Sequence, residues 1–226
     1  MRTYTSVMMP EQGKNRDFGI LLKGKSIEVL PRFADRFNVC FVVNSFQFLD
    51  EFMETIRGKR ILFYSNRLCG TRMPPEWHKK HGVRDVFLTL TEYHAEGDAA
   101  SVSNAGHYRK IGVRVHWMPE SLLPFCERFR GAYATKHPNT GVLALTHAAH
   151  VFRPAHLWIA GLDFYATDYW RRRDQCAPLS TQQAKMERVG IPQETFRVIR
   201  EHPDTMFHIA SYYEKWPDIP NLEIIR

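Results

Sequence analysis

The chain has 226 residues, of which 44% are apolar and 24% charged. That balance excludes collagen-like, low-complexity and wholly disordered chains, and a chain of this length can bury roughly 70% of its unfolded surface without disulfides or a structural metal. Lys and Arg exceed Asp and Glu by 31 − 24 = +7 and aromatics reach 13%, a combination that favours an anionic partner: nucleic acid, a membrane surface or a small phosphorylated ligand.

In chain order, the apolar run 18–22 ends in Lys23-Gly24-Lys25-Ser26, and residues 27–30 open a segment of helical spacing. This predicts a strand, a glycine turn and a helix start. Residues 38–43 predict a second strand ending at Asn44-Ser45. An amphipathic helix over 46–57 follows, with Phe46, Leu49, Phe52, Met53 and Ile56 on one face. Residues 60–64 predict a third strand, stopping at Ser65-Asn66. The β, α, β alternation predicts a parallel sheet with flanking helices. Residues 86–90 and 113–117 read as strands, 119–129 as a short helix, and the polar stretch 93–110 as a long loop. Further on come an Ala-rich helix over 142–151 and a strand over 156–160 that runs into Gly161-Leu162-Asp163-Phe164-Tyr165. A charged, irregular stretch over 166–194, a closing helix over 204–216 and a last strand over 221–225 complete the chain. With no internal repeat or linker, the reading is one domain over 1–226, its core spanning about 18–225.

Cys40, Cys69, Cys126 and Cys176 are widely spaced, with no C-x-x-C, and read as reduced, buried thiols. The N-terminus has no apolar run of signal-peptide length, and no stretch approaches the ~20 apolar residues of a membrane span. The expectation is a cytoplasmic protein, with peripheral contact to the inner face of the membrane left open by its basic surface.

In an open α/β sheet, ligands bind beyond the carboxyl ends of the strands. Small and polar residues fall at four such ends: Gly24 and Ser26, Asn44 and Ser45, Ser65 and Asn66, Gly161 and Asp163. Lys23-Gly24-Lys25-Ser26 lacks the G-x-x-x-x-G-K-[ST] spacing, and G-x-G-x-x-G is absent, which argues against Walker and dinucleotide sites. What remains is a helix start suited to an anion. His137-Pro138-Asn139-Thr140-Gly141 offers another, with Thr140 placed to cap and Gly141 to admit a ligand closely. There is no Asp-x-Asp, H-E-x-x-H or G-x-S-x-G, so neither a metal site nor serine hydrolase chemistry is expected. His202 precedes Pro203 and is predicted at the start of the closing helix, whose dipole would keep the imidazole neutral and able to accept a proton. His208 would lie about one and a half turns further on.

These segments resemble the bacterial sialyltransferases of glycosyltransferase family 42 and, more distantly, the animal-type sialyltransferases. FGILLKGKSIEVL is similar to their opening strand and glycine-serine turn, and FVVNSFQFLDEF and KRILFYSN to the next two strand-to-Asn segments. HPNTGVLALTHAAHVFRPAHLWIAGLDFY is similar to their Thr/Ser-Gly helix and following strand, and HPDTMFHIASYYEKW to their late histidine segment. The resemblance implies a single Rossmann-like α/β domain, a GT-A variant with a mobile lid, here 93–110 or 166–194. It implies an inverting, metal-independent glycosyltransferase with no cofactor. The donor would be a CMP-sugar carrying sialic acid or a related keto-acid sugar such as Kdo, and the acceptor a glycan or glycolipid hydroxyl, as on lipooligosaccharide or capsule.

Carried over by residue, the resemblance places Gly24, Ser26, Asn44 and Asn66 (or Ser65) around cytidine and ribose. Asn139, Thr140 and Gly141 would face the sugar carboxylate or the phosphate, and Tyr165 would donate to the departing phosphate. The general base would be His202 or His208. Where the family often has Asn-Gly-Pro-Ser, this chain has Lys23-Gly24-Lys25-Ser26, so Lys23 would supply a phosphate contact in place of the Asn. The residues alone also permit a non-catalytic nucleotide- or nucleic-acid-binding protein, or a pterin-phosphate enzyme on a related fold. The basic residues are scattered apart from Arg171-Arg172-Arg173, so no nucleic-acid partner is expected.

Overall fold

The structure, a computed structural model, describes residues 17–44, 50–65, 72–89, 99–133, 139–167, 183–184 and 187–226. Eight strands form one sheet: β1 (Asp17–Leu21), β2 (Val39–Val43), β3 (Arg60–Ser65), β4 (Asp85–Leu88), β5 (Arg114–Trp117), β6 (His156–Ala160), β7 (Met206–Ala210) and β8 (Leu222–Ile225). Their spatial order is β5-β4-β3-β2-β1-β6-β7-β8, and every neighbouring pair is parallel. A parallel sheet is covered on both faces, so its central strands read as unbroken apolar runs such as VCFVV.

Alternate residues of each strand feed two separate cores. Phe18, Ile20, Phe41, Tyr64, Ile159 and Ile209 face one layer of helices. That layer holds α4 (Leu123–Tyr133), α5 (Thr140–His147) and α6 (Ile191–Arg200). Leu21, Cys40, Val42, Phe63, Val86 and Ala160 face the other. There lie the 3₁₀ segment Lys25–Arg32 with α1 (Asp50–Thr55), α2 (Pro75–Lys80) and α3 (Ala99–Lys110). α5 continues as a π-helical turn, Ala148–Phe152, stopped by Arg153 in the left-handed conformation. Among the described residues, no helix is long and apolar enough to cross a membrane. Cys40 and Cys126 are buried and unbridged, and burial pushes both thiols up to about 12.

Three sequence expectations are corrected. Residues 99–110, expected within a loop, form α3, with Ala105 and Tyr108 buried on the side that meets Phe63 and His78. The remainder of that stretch, 93–98, lies outside the described residues. The closing helix over 204–216 is instead occupied by strand β7: Phe207 and Ile209 alternate with Met206, His208 and Ala210 at period two, and they pack into the core beneath α4, α5 and α6. The helix before it, α6, begins inside the stretch 166–194 expected to be irregular, with Pro192 in its first turn. Residues 168–182 and 185–186 of that stretch lie outside the described residues.

Chain order runs outward from β1 to β5 on one side, then β6 returns to pair with β1 on the other. Strand order therefore reverses between β1 and β6, the position at which open parallel sheets form a ligand crevice.

Candidate functional site

The two loops that leave β1 and β6 are packed backbone to backbone. The Leu22 amide donates to the Ala160 carbonyl (2.8 Å) and the Gly24 amide to the Gly161 carbonyl (3.0 Å). Only glycine fits at both contact points. A Cβ on Gly24 would lie 2.6 Å from the Gly161 oxygen, and one on Gly161 would lie 2.6 Å from the Leu22 oxygen. Gly161 also has a φ of +85°, a conformation glycine adopts without steric cost.

Above this junction is a cleft of about 370 Å³, within the range of small-molecule sites. Leu22, Lys23 and Gly24 line it from the β1 loop, Val43 and Asn44 from the end of β2, and Asn139, Thr140 and Gly141 from the head of α5. The β6 loop supplies Gly161, Asp163, Phe164, Tyr165 and Thr167. α5 points its amino end at the cleft, where the helix dipole is positive. Its cap is Asn139, whose side-chain oxygen accepts from the amides of Gly141 (2.9 Å) and Val142 (3.3 Å), so the capping role expected of Thr140 belongs to its neighbour. Gly141 lets the helix approach β1, since a Cβ there would lie 3.1 Å from the Leu22 side chain.

Backbone strain concentrates here. The described non-glycine residues with positive φ are Asn44 (59°), Arg153 (49°), Phe164 (47°) and Tyr165 (64°). Arg153 ends a helix, and the other three line the cleft. Such conformations cost on the order of 1–3 kcal/mol each and persist where the surroundings over-determine them, often at ligand sites.

Of the eight residues read from the sequence as donor contacts, Gly24, Asn44, Asn139, Thr140, Gly141 and Tyr165 meet in this one cleft. Ser26 does not line it. Fully buried beneath, Ser26 donates its hydroxyl to the Ala210 carbonyl (2.8 Å) and its amide to Asp163 Oδ2 (2.9 Å). Asn66 lies outside the described residues, and Ser65, its alternative, is buried at the end of β3.

The two histidines read as the base stand elsewhere. His202 follows the carboxyl end of α6 and precedes β7, so it lies at the amino end of the sheet. Its Nδ1 donates to the Val198 carbonyl (2.7 Å), and its ring faces His150 at 5.7 Å. His150 is ten residues beyond the head of α5, roughly 15 Å along the helix from the cleft. His208 is central in β7, on the sheet face that carries Trp158. The two rings stack at 3.8 Å, and His208 bonds His156 (3.0 Å) and Glu223 (2.5 Å). The helix start that motivated both assignments does not exist, because α6 precedes His202 rather than following it.

Sequence reasoning undervalued Asp163. This carboxylate is 2% exposed and accepts from the Ser26 amide, the Thr167 hydroxyl (2.8 Å) and the Tyr212 amide (2.8 Å). Its signal was present in Gly-Leu-Asp-Phe-Tyr at a strand end, but its partners at 26 and 212 are remote in sequence. Chemically, the cleft offers Lys23, a helix amino end, hydroxyls from Thr140 and Tyr165, and side-chain amides from Asn44 and Asn139. These groups suit a small polar anion carrying hydroxyls. No family model matches the sequence, and no curated protein matches it.

Proposed function

We propose that this chain is an inverting, metal-independent glycosyltransferase on a sialyltransferase-like GT-A variant. It would bind a CMP-activated keto-acid sugar, sialic acid or Kdo, in the carboxyl-end cleft and transfer the sugar to a glycan hydroxyl. The supporting observation is the convergence just described: six of the eight residues read as donor contacts line one cleft at the β1–β6 reversal. In this reading Gly24 and Asn44 contact cytidine and ribose. Lys23 and the head of α5 meet the phosphate or the sugar carboxylate, where a fixed positive field stabilises charge that develops as the glycosidic bond breaks. Tyr165 donates to the departing phosphate. The acceptor would be a glycan or glycolipid, the latter reached at the inner face of the membrane. The base role is not retained for His202 or His208, given their distance from the cleft.

One observation favours a second reading, nucleotide binding without transfer. No histidine, cysteine or glutamate is among the described residues lining the cleft. Calorimetry with CMP, followed by CMP release from CMP-Neu5Ac or CMP-Kdo with a lactose-type acceptor, separates the two. Binding with release supports transfer, and Tyr165→Phe should then slow release by on the order of 10²-fold. Binding without release from either donor selects the second reading. Absence of CMP binding removes both.

A further inference from the structure

We propose that Asp163 is the positioning residue of the cleft, tying three strand-end segments together through one carboxylate. The assignment rests on the donor-site reading above for the choice of CMP as probe. The three donors that Asp163 accepts from follow three different strands: the Ser26 amide after β1, the Thr167 hydroxyl after β6 and the Tyr212 amide after β7. Oδ2 takes the first two and Oδ1 the third. A side chain at position 24 would put its Cβ 2.6 Å from Oδ2, so the carboxylate and the glycine loop fit as a pair. The β7 segment is bound a second time, by the Ser211 hydroxyl donating to the Leu162 carbonyl (2.6 Å).

The same residue closes the turn that presents Tyr165. The Ala166 amide donates to the Asp163 carbonyl (2.8 Å), and the two residues between them, Phe164 and Tyr165, both have positive φ. A turn with two left-handed central residues ordinarily holds Gly, Asn or Asp. Here it is held from both sides. The Phe164 ring is buried against Tyr213 (5.0 Å) and Trp216 (5.4 Å), while the Thr167 bond to Oδ2 fixes the exit of the turn. Tyr165, between these anchors, is left half-buried at the cleft.

Only an acceptor at both oxygens satisfies this arrangement. Asparagine has the same shape but one acceptor oxygen and one NH₂. Whichever way it is placed, its NH₂ confronts the buried amide of Ser26 or the partly buried amide of Tyr212, and that donor is left without its acceptor. Asp163→Asn should therefore weaken CMP binding by roughly tenfold in protein that remains folded. It should also speed hydrogen exchange at the Ser26 or Tyr212 amide and leave β2–β4 amides unchanged. A merely structural role would lower the melting temperature without altering affinity in the folded protein. Thr167→Val, which removes one hydroxyl, should cost a few-fold in affinity. Unchanged CMP affinity in folded Asp163→Asn would overturn the assignment, and so would unchanged exchange at both amides. Should Asp163→Asn not fold, wild-type affinity in Thr167→Val overturns it. If the wild-type chain binds no CMP, the donor reading falls, while the exchange measurement still decides whether Asp163 is the tie.

Discussion

The two ends of the sheet use polar residues in opposite ways. At the carboxyl end, glycines, short polar side chains and three left-handed non-glycine residues surround a cleft. Toward the amino end and the β6–β8 edge, histidines and charges satisfy one another. Asp85 is bonded by Arg114 and His116 (2.8 Å) and held down to about 2 despite its burial, while His208 bridges His156 and Glu223. The contrast teaches that residue type alone does not mark a site. Histidine is the residue sequence reasoning reaches for, yet His116, His156 and His208 are already partnered here, whereas the glycines and short polar residues of the cleft would each pass as turn chemistry.

The largest expected effect breaks the cleft end. Gly161→Ala adds a Cβ that meets the Leu22 carbonyl at 2.6 Å and forces alanine to a φ of +85°. It should lose about 3 kcal/mol of stability, measured by urea denaturation, and abolish CMP binding. A loss below about 1 kcal/mol would mean that the two loops are not fixed as described.

Acid tests the helical layers on either side of the sheet. His147 is 1% exposed, shares a hydrogen bond with the Tyr64 hydroxyl (3.3 Å), and is pushed down to about 3 chiefly by burial. His78 is buried among Phe63, Trp77 and Tyr108, and burial takes it down to about 4. An unfolded histidine takes up its proton near pH 6.5. The unfolded state therefore binds more protons between that pH and the folded-state values. Stability is full above about pH 6.5 and falls on acidification, by up to about 1.4 kcal/mol per pH unit for each histidine. Urea midpoints from pH 7 to 4.5 measure the slope, and His147→Phe, which suits the surrounding Phe41, Phe87 and Phe152 rings, should flatten it. An identical slope in that variant would contradict the burial argument.

Smaller effects sharpen the comparison. Asn139→Ala removes the cap of α5 and should cost about 1 kcal/mol, together with a measurable loss of CMP affinity at the helix end. His202→Ala and His208→Ala should each leave CMP affinity within about twofold, because neither reaches the cleft. A tenfold loss from either would return the site to the histidine end.

Much of this fold was legible residue by residue. The apolar runs from 18 to 64 and from 156 to 160 became strands β1, β2, β3 and β6, because a strand buried on both faces needs little beyond continuous hydrophobicity. Residues 204–216 read as a helix because Pro203 suits a helix's first turn. The period-two alternation through Phe207 and Ile209 outweighed that signal once β6 offered a partner. α3 was hidden for the converse reason, since the polar residues around them obscured the buried Ala105 and Tyr108.

By itself, then, the sequence determined an α/β chain, most of its strands and the small polar residues that end them, because burial pattern and turn chemistry act over a few residues. Tertiary structure decided which of those ends meet. By returning to the far side of β1, strand β6 brings positions near 24, 44, 140 and 163 into one cleft and turns His202 toward the opposite end of the sheet. No local periodicity encodes that crossover; it is set by how both faces of the whole sheet are covered at once.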